Sequence, residues 1–196
     1  MKKLAEDFYA RDTLTVAKEL LGKYLVRVTA GLPLTVRITE TEAYIGRLDK
    51  ACHAYGYKRT ARTETLFAPP GTAYIYLIYG MYHCLNFVTE AENEPAAVLI
   101  RAGEVLSPSD LDPISIRRFG CEARQMSIYQ RKNFLNGPGK LCKGLELTKA
   151  QNGISLTGDT LYVLDAGEEP HKVHVSKRVG IDYAEEAVDF PWRFYL

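Results

Sequence analysis

Most of the short motifs that announce a chemistry are absent from this chain. Its four cysteines, Cys52, Cys84, Cys121 and Cys142, form no C-x-x-C pair and no short regular spacing. That excludes a zinc ribbon and a secreted disulfide scaffold, and leaves reduced thiols in a cytosolic protein as the expectation. No H-E-x-x-H occurs, nor the H-x-E with P-C-x-x-C of zinc deaminases, and His171 and His174 lie in an alternating stretch that sends them to opposite faces. Metal ligation is therefore not expected, and no cofactor is implied. A Walker A loop, a dinucleotide fingerprint and a G-x-S-x-G elbow are also missing. Met1, Lys2 and Lys3 open the chain without the apolar segment of a signal peptide, and no apolar run approaches the about 20 residues that span a bilayer. A cytoplasmic protein with no membrane contact is expected. Neither sign of charge dominates: 25 Lys and Arg face 24 Asp and Glu, for a net charge of +1. Any nucleic-acid site must then be a local cationic patch. Repeats, low-complexity tracts and composition breaks are lacking too, so residues 1–196 read as one domain, large enough to bury roughly 70% of its unfolded surface.

What the chain has in excess is tyrosine, 13 in 196 residues, a side chain that joins a flat apolar face to a hydroxyl. The richest stretch is 71–88, where two aromatic and β-branched runs flank Tyr79 and Gly80. This pattern predicts a β-hairpin, with Gly80 taking the positive φ of the turn and Tyr79 at the tip. A tip usually carries Asn, Asp or Gly, because a large ring has nothing to pack against there. Two readings stand on this stretch alone: an exposed ring built to enter a base stack, or a hairpin folded under a loop with Tyr79 in the core. The hairpin lacks the opening of an RRM signature, which weighs against that RNA-binding module.

Taken in order, Asp12 or Thr13 caps a short helix with Leu14, Ala17 and Leu21 on one face, ended by Gly22. A strand over 24–28 turns at Gly31–Pro33 into a partner over 34–45, in which alternation puts Ile38, Glu40, Glu42 and Tyr44 on one face. Two acids about 7 Å apart among aromatics favour a raised pKa, useful in a general base, but the spacing does not say which acts. Residues 46–72 form a loop too long for a simple connection, interleaving aromatics with Lys50, Lys58, Arg59 and Arg62, as a phosphate- and base-contacting surface does. Residues 96–102 read as a buried strand whose Arg101 needs an anionic partner. Residues 107–134 read as helical and polar with Arg117 and Arg118 exposed, and Gly137–Lys140 opens another helix. There Lys140 and Lys143 either bind phosphate or simply accompany helix initiation. Strands are expected over 161–166 and 173–179, with an aromatic tail from Asp189 packed on the core.

Several segments together resemble one family. Residues 38–46 (ITETEAYIG), 51–54 (ACHA), 58–60 (KRT), 70–82 (PGTAYIYLIYGMY), 99–102 (LIRA), 137–142 (GPGKLC) and 178–180 (RVG) are similar, in this order, to the alkyladenine (3-methyladenine) DNA glycosylases. The likeness spans roughly residues 12–195, and the combined motifs are far more specific than any one pattern. It implies an α+β fold: a single compact domain with a curved, mainly antiparallel β-sheet, peripheral helices and a protruding β-hairpin. It also implies monofunctional excision of alkylated or deaminated purines, such as 3-methyladenine, 7-methylguanine, hypoxanthine and ethenoadenine, by a short, bacterial-type monomer acting on double-stranded DNA.

The same resemblance assigns residues. Glu42 matches the carboxylate that activates water, and Arg101 a residue that holds it, with the Val179 carbonyl as another water contact. Tyr44, His53 and Tyr76 match the walls that sandwich the flipped base, the His53 backbone N–H also matching a donor to its edge. Asn86 matches the residue that crowds the amino group of normal guanine, and Tyr79 the side chain that replaces the flipped nucleotide in the stack. Lys58, Arg59, Lys140 and Lys143 are the candidate contacts to the DNA backbone. The physics agrees: a glycosylase must extrude its nucleotide, and cationic purines stack well between tyrosines. No lysine matches a nucleophile, which argues against a Schiff-base lyase. The chain departs from the pattern at Tyr57, where glycine is common, and at His83, where phenylalanine occurs. Two rival functions remain at this point, a silent damage-binding protein and a hydrolase of free nucleosides.

Overall fold

One strand organises the molecule. In the computed structural model, which describes residues 1–196, fourteen residues from Leu32 to Ile45 form a single long strand with partners on both sides. In chain order the strands are β1 (Lys2–Lys3), β2 (Tyr24–Thr29), β3 (Leu32–Ile45), β4 (Ala73–Ile78), β5 (Tyr82–Val88), β6 (Ala96–Glu104), β7 (Leu161–Asp165), β8 (His174–Ser176) and β9 (Arg193–Tyr195). The helices are α1 (Glu6–Tyr9), α2 (Thr13–Glu19), α3 (Pro108–Phe119), α4 (Ile128–Lys132) and α5 (Pro138–Gly144). The sheet runs β1-β7-β2-β3-β6-β5-β4 and every pairing is antiparallel, so the α+β class and the antiparallel sheet are as expected. β2 leaves β3 at Arg37, and β9 takes over that edge from Glu40 to Glu42, with β8 outside it.

The register between β3 and β6 breaks twice where the acids lie. Ile38 pairs with Gly103 and Glu40 with Ala102, which leaves Thr39 as an extra residue on β3. Thr41 then pairs with Ile100, leaving Arg101 as an extra residue on β6. A bulge bends its strand and re-aims side chains. The first corrects the simple alternation: Ile38 does not share a face with Glu40, Glu42 and Tyr44 but lies fully buried in the main core with Ala43. The second swings Arg101 toward the acids.

The main core lies on the face of β3 opposite those acids, where Val16 and Ala17 of α2 with Leu20 and Leu21 just after it, and Leu141 of α5 with Leu145 at its end, pack against Ile38, Leu85, Phe87 and Ile100. Each such aliphatic or aromatic side chain stabilises the fold by about 1.5–3 kcal/mol when fully buried. The Asp12 carboxylate accepts from the Thr15 N–H and caps α2, and the Thr41 hydroxyl donates to the Ala17 carbonyl, tying α2 to β3. The inner face of α2 is made by Val16 and Ala17 and is continued by Leu20 and Leu21 past its end, with Leu14 only half-buried. Phe194 of β9 enters the same core, so the aromatic tail packs as expected.

Elsewhere the chain differs from its pattern in smaller ways. Residues 107–134 divide into α3, a 3-10 turn and α4. Arg117 and Arg118 are half-buried rather than exposed: Arg117 meets Thr29 and Glu146, while Arg118 donates to the carbonyls of Asn133 and Phe134. The strand expected over 173–179 shrinks to His174–Ser176, because Arg178 turns inward to an ion pair. The loop 46–72 is held by its own hydrogen bonds, among them Gly46 N–H to Pro95 O and Gly56 N–H to Gly46 O. Gly46 is required there, since a Cβ would stand 2.6 Å from the Pro95 oxygen. No helix is long and apolar enough to cross a membrane.

Candidate active site

Alternation along β4 sends Tyr74 and Tyr76 to the sheet face away from the main core, over a small cluster of Cys52, Leu66, Phe67, Val88 and Ala97. Here they meet Tyr44 from β3 and His53 from the loop, and the four rings wall a cavity of about 420 Å³ that also takes in Asn86, Arg101, Val179 and Tyr183. The His53 ring stands edge-on to Tyr76 at 4.6 Å and 77°, and its Nδ1 lies 3.1 Å from the Tyr74 hydroxyl. Arg62 donates to His53 Nε2 at 3.3 Å and lies over the Tyr76 ring. An arginine only donates, so Nε2 is the acceptor and Nδ1 carries the proton toward Tyr74. Burial, with the Arg62 charge added, pulls the His53 pKa down to about 4, so the ring is neutral at physiological pH.

Glu42 has no exposed surface and does not itself line the cavity; it sits directly behind Tyr44, Arg101 and Val179, which do. Tyr44 Oη–H donates to its Oε2 at 2.8 Å, and Val179 N–H donates to its Oε1 at 2.8 Å. Arg101 Nη1 reaches Oε2 at only 3.4 Å, while its Nε donates to Glu40 Oε1 at 2.9 Å. Burial raises the Glu42 pKa, against the lowering effect of Arg101, Tyr44, Val179 and Arg178. A raised pKa was expected, but its cause differs: desolvation rather than repulsion by Glu40, which faces Arg101 and Arg193. Behind Tyr44 lies Arg178, fully buried between the Tyr44 and Trp192 rings, doubly bonded to Asp49 and to the carbonyls of Ala43 and Ala187.

The hairpin ends at Tyr79, which is 78% exposed, so the core reading of its ring is excluded. Gly80 has the expected positive φ of 70°, but Tyr79 shares it at 52°. A non-glycine residue there stores about 1–2 kcal/mol of strain. Tyr57 also has a positive φ, 61°, and its hydroxyl is tied to Glu94. Asn86 is buried and donates to the Tyr74 carbonyl at 3.1 Å, which fixes its amide on the cavity wall.

The four candidate backbone cations are not equivalent. Lys58 and Lys143 are exposed, Arg59 is paired with Glu64 and lies over Phe67, and Lys140 Nζ donates to Asn133 and Asn136. Lys140 follows Gly139, whose Cα packs against Tyr82 so closely that a Cβ would come within 3.0 Å of that ring. Sequence reasoning passed over Tyr74, two residues before Tyr76 on the same strand face, where alternation alone would have found it. It also passed over Tyr183, Cys52 and Cys84 in the wall and the role of Asp49, for which the local sequence carries no signal. Burial pushes the Cys52 thiol up to about 12 and raises Cys84 as well.

The chain matches the family model described as methylpurine-DNA glycosylase over residues 7–196. It is 53% identical over 197 residues to a protein of Clostridium perfringens strain SM101 named "Putative 3-methyladenine DNA glycosylase", covering 99% of this chain and 95% of that protein. Under the same name, a protein of Desulfitobacterium hafniense strain Y51 is 50% identical over 196 residues, covering 100% of this chain and 96% of its own length. Family model and relatives both run through β3 and the hairpin, which supply Tyr44, Tyr74 and Tyr76 to the cavity wall, and the chain belongs to the methylpurine-DNA glycosylase family.

Proposed function

We propose that this protein is a monofunctional DNA glycosylase of base-excision repair, which flips a damaged purine out of duplex DNA and hydrolyses its N-glycosidic bond. The observation that carries the reading is a desolvated carboxylate, Glu42, immediately behind an aromatic slot whose neighbouring hairpin projects a tyrosine into solvent. Tyr79 enters the duplex and fills the gap left by the extruded nucleotide, its strained backbone keeping the ring pre-positioned. The base then stacks in the cavity among Tyr44, His53 and Tyr76, reading its edge on the His53 backbone N–H, while Asn86 crowds the amino group of normal guanine.

A carboxylate has four acceptor positions. Tyr44, Arg101 and Val179 occupy three of those on Glu42, and the fourth, on Oε1, is the one available to a water. Burial makes that carboxylate a stronger base than an exposed one, which suits removal of a proton as water adds to C1′. The C1′–N bond breaks, and its electron pair leaves with the purine. A methylated purine already carries a positive charge and departs neutral, so no acid is needed; hypoxanthine and ethenoadenine depart as anions, which take their proton from solvent. The cavity wall contains no lysine, in keeping with water rather than an amine as nucleophile.

Methylated purines, hypoxanthine and ethenoadenine are the proposed substrates, in double-stranded DNA bound along Lys58, Arg59, Lys140 and Lys143 by a one-domain monomer. Single-turnover base release from duplexes carrying each lesion tests this. Glu42→Gln is expected to slow release at least about 10²-fold while still retaining lesion DNA in a gel shift. Full activity in that variant would remove Glu42 from the chemistry, and binding without release in the parent protein would make it a recognition protein instead.

A further inference from the structure

Glu40 plays no part in the proposed chemistry, yet it is mostly buried and shares a strand face with the base. One of its oxygens, Oε1, accepts from two arginines at once, Arg101 Nε at 2.9 Å and Arg193 Nε at 2.5 Å. Arg101 spends its short contact on Glu40 and reaches Glu42 at the outer limit of hydrogen bonding, 3.4 Å. The paired bulges at Thr39 and Arg101 create this lopsided arrangement, because a regular register would not project Arg101 between the two acids. β9 supplies the other half: Arg193 sits opposite Glu42 in the ladder but turns its guanidinium to Glu40.

From this geometry we propose that Glu40 is a positioning residue that detains Arg101, keeping its charge from closing on Glu42 and so preserving Glu42 as a base. The inference rests on Glu42 being that base. A guanidinium in full contact lowers a carboxylate's proton affinity by about one to three pH units, which would leave a weak base in the slot. Detention by Glu40 keeps Arg101 near enough to orient Glu42 without disarming it. The other groups facing Glu42 are Tyr44 beside it on β3, Arg178 and the Val179 N–H beyond β8, Arg193 on β9 and Cys84 on β5, and none of them holds Arg101. Glu40 alone accepts from it at short range.

The test is the pH dependence of single-turnover base release from a hypoxanthine duplex. Glu40→Gln keeps the shape and an acceptor but removes the charge that holds Arg101. Its acid limb is expected to move about one pH unit lower, with a plateau about threefold slower as the base weakens. Glu40→Asp should restore both in part. In an Arg101→Gln background the Glu40→Gln shift should vanish, whereas a direct field of Glu40 on Glu42 would persist there. Arg193→Gln, which leaves Glu40 to Arg101 alone, should move the limb the opposite way, and serves if the Glu40 variants misfold. An acid limb unmoved or raised in Glu40→Gln, or lowered in Arg193→Gln, overturns the proposal. Retained activity in Glu42→Gln would instead refute the reading beneath it, so the two failures are distinguishable.

Discussion

Two arginine–carboxylate systems adjoin Tyr44, and they are built differently. Arg178 and Asp49 are both completely buried, with two guanidinium nitrogens on two carboxylate oxygens and two backbone carbonyls accepting further hydrogen bonds from them. Arg101 serves two carboxylates unequally, and the more buried of them receives the longer contact. In the first, the acid is saturated: Asp49 accepts from two Arg178 nitrogens and from the Ile45 and Ala51 N–H groups, while Arg178 Nε is left without a partner. The second leaves Glu42 desolvated and under-paired, the condition in which a carboxylate still binds a proton avidly. On the proposed function, what separates a structural ion pair from a reactive one is how completely the acid is paired, with four donors on Asp49 and three on Glu42.

Breaking the saturated pair should have the largest effect. Asp49→Ala leaves Arg178 with an uncompensated buried charge, and the expected loss is about 3–5 kcal/mol in urea unfolding. A loss under about 1 kcal/mol would show that the two systems are not so different after all. Glu42→Gln should act with the opposite sign. Glu42 binds its proton more tightly folded than unfolded, so the unfolded chain ionises first and the folded state loses stability as the pH rises from the ordinary carboxylate range through the folded value. Glutamine does not ionise. The variant should therefore melt higher than the parent at pH 8, with the difference fading as the pH falls toward the ordinary carboxylate range. A lower melting point at pH 8 would mean that Arg101 outweighs burial.

A third arginine sharpens the comparison with the smallest effect. Arg62 has a neutral partner, His53, whose ring should stay unprotonated until about pH 4. Because burial is the larger cause, Arg62→Gln should raise that titration by only a fraction of a unit, read from the His53 ring resonances by NMR. A rise to the ordinary value of 6.5 would make Arg62, and not burial, the determinant.

The sequence was most legible where structure is local. The hairpin, its tyrosine tip and the capped α2 follow from propensity, turn chemistry and periodicity within a few residues. The acids on β3 were visible as a pair, but the choice between them was not, because it depends on a bulge at Thr39 that no residue type announces. The same bulge put Ile38 in the core against strict alternation. Arg178 and Asp49 are 129 positions apart and carry no local mark of belonging together. Arg117 and Arg118 read as surface charges because their partners, Thr29, Glu146 and two carbonyls, are supplied by tertiary packing.

Two sulfurs, Cys52 and Cys84, stand in the wall of the slot. Methylated purines arise from electrophiles, and an electrophile that reaches DNA also reaches proteins, where it attacks thiolates in preference to thiols. Burial holds both groups in the protonated form, Cys52 up to about 12. On the proposed function, the same burial that walls the slot would make these two thiols slow to react with the electrophiles that methylate purines.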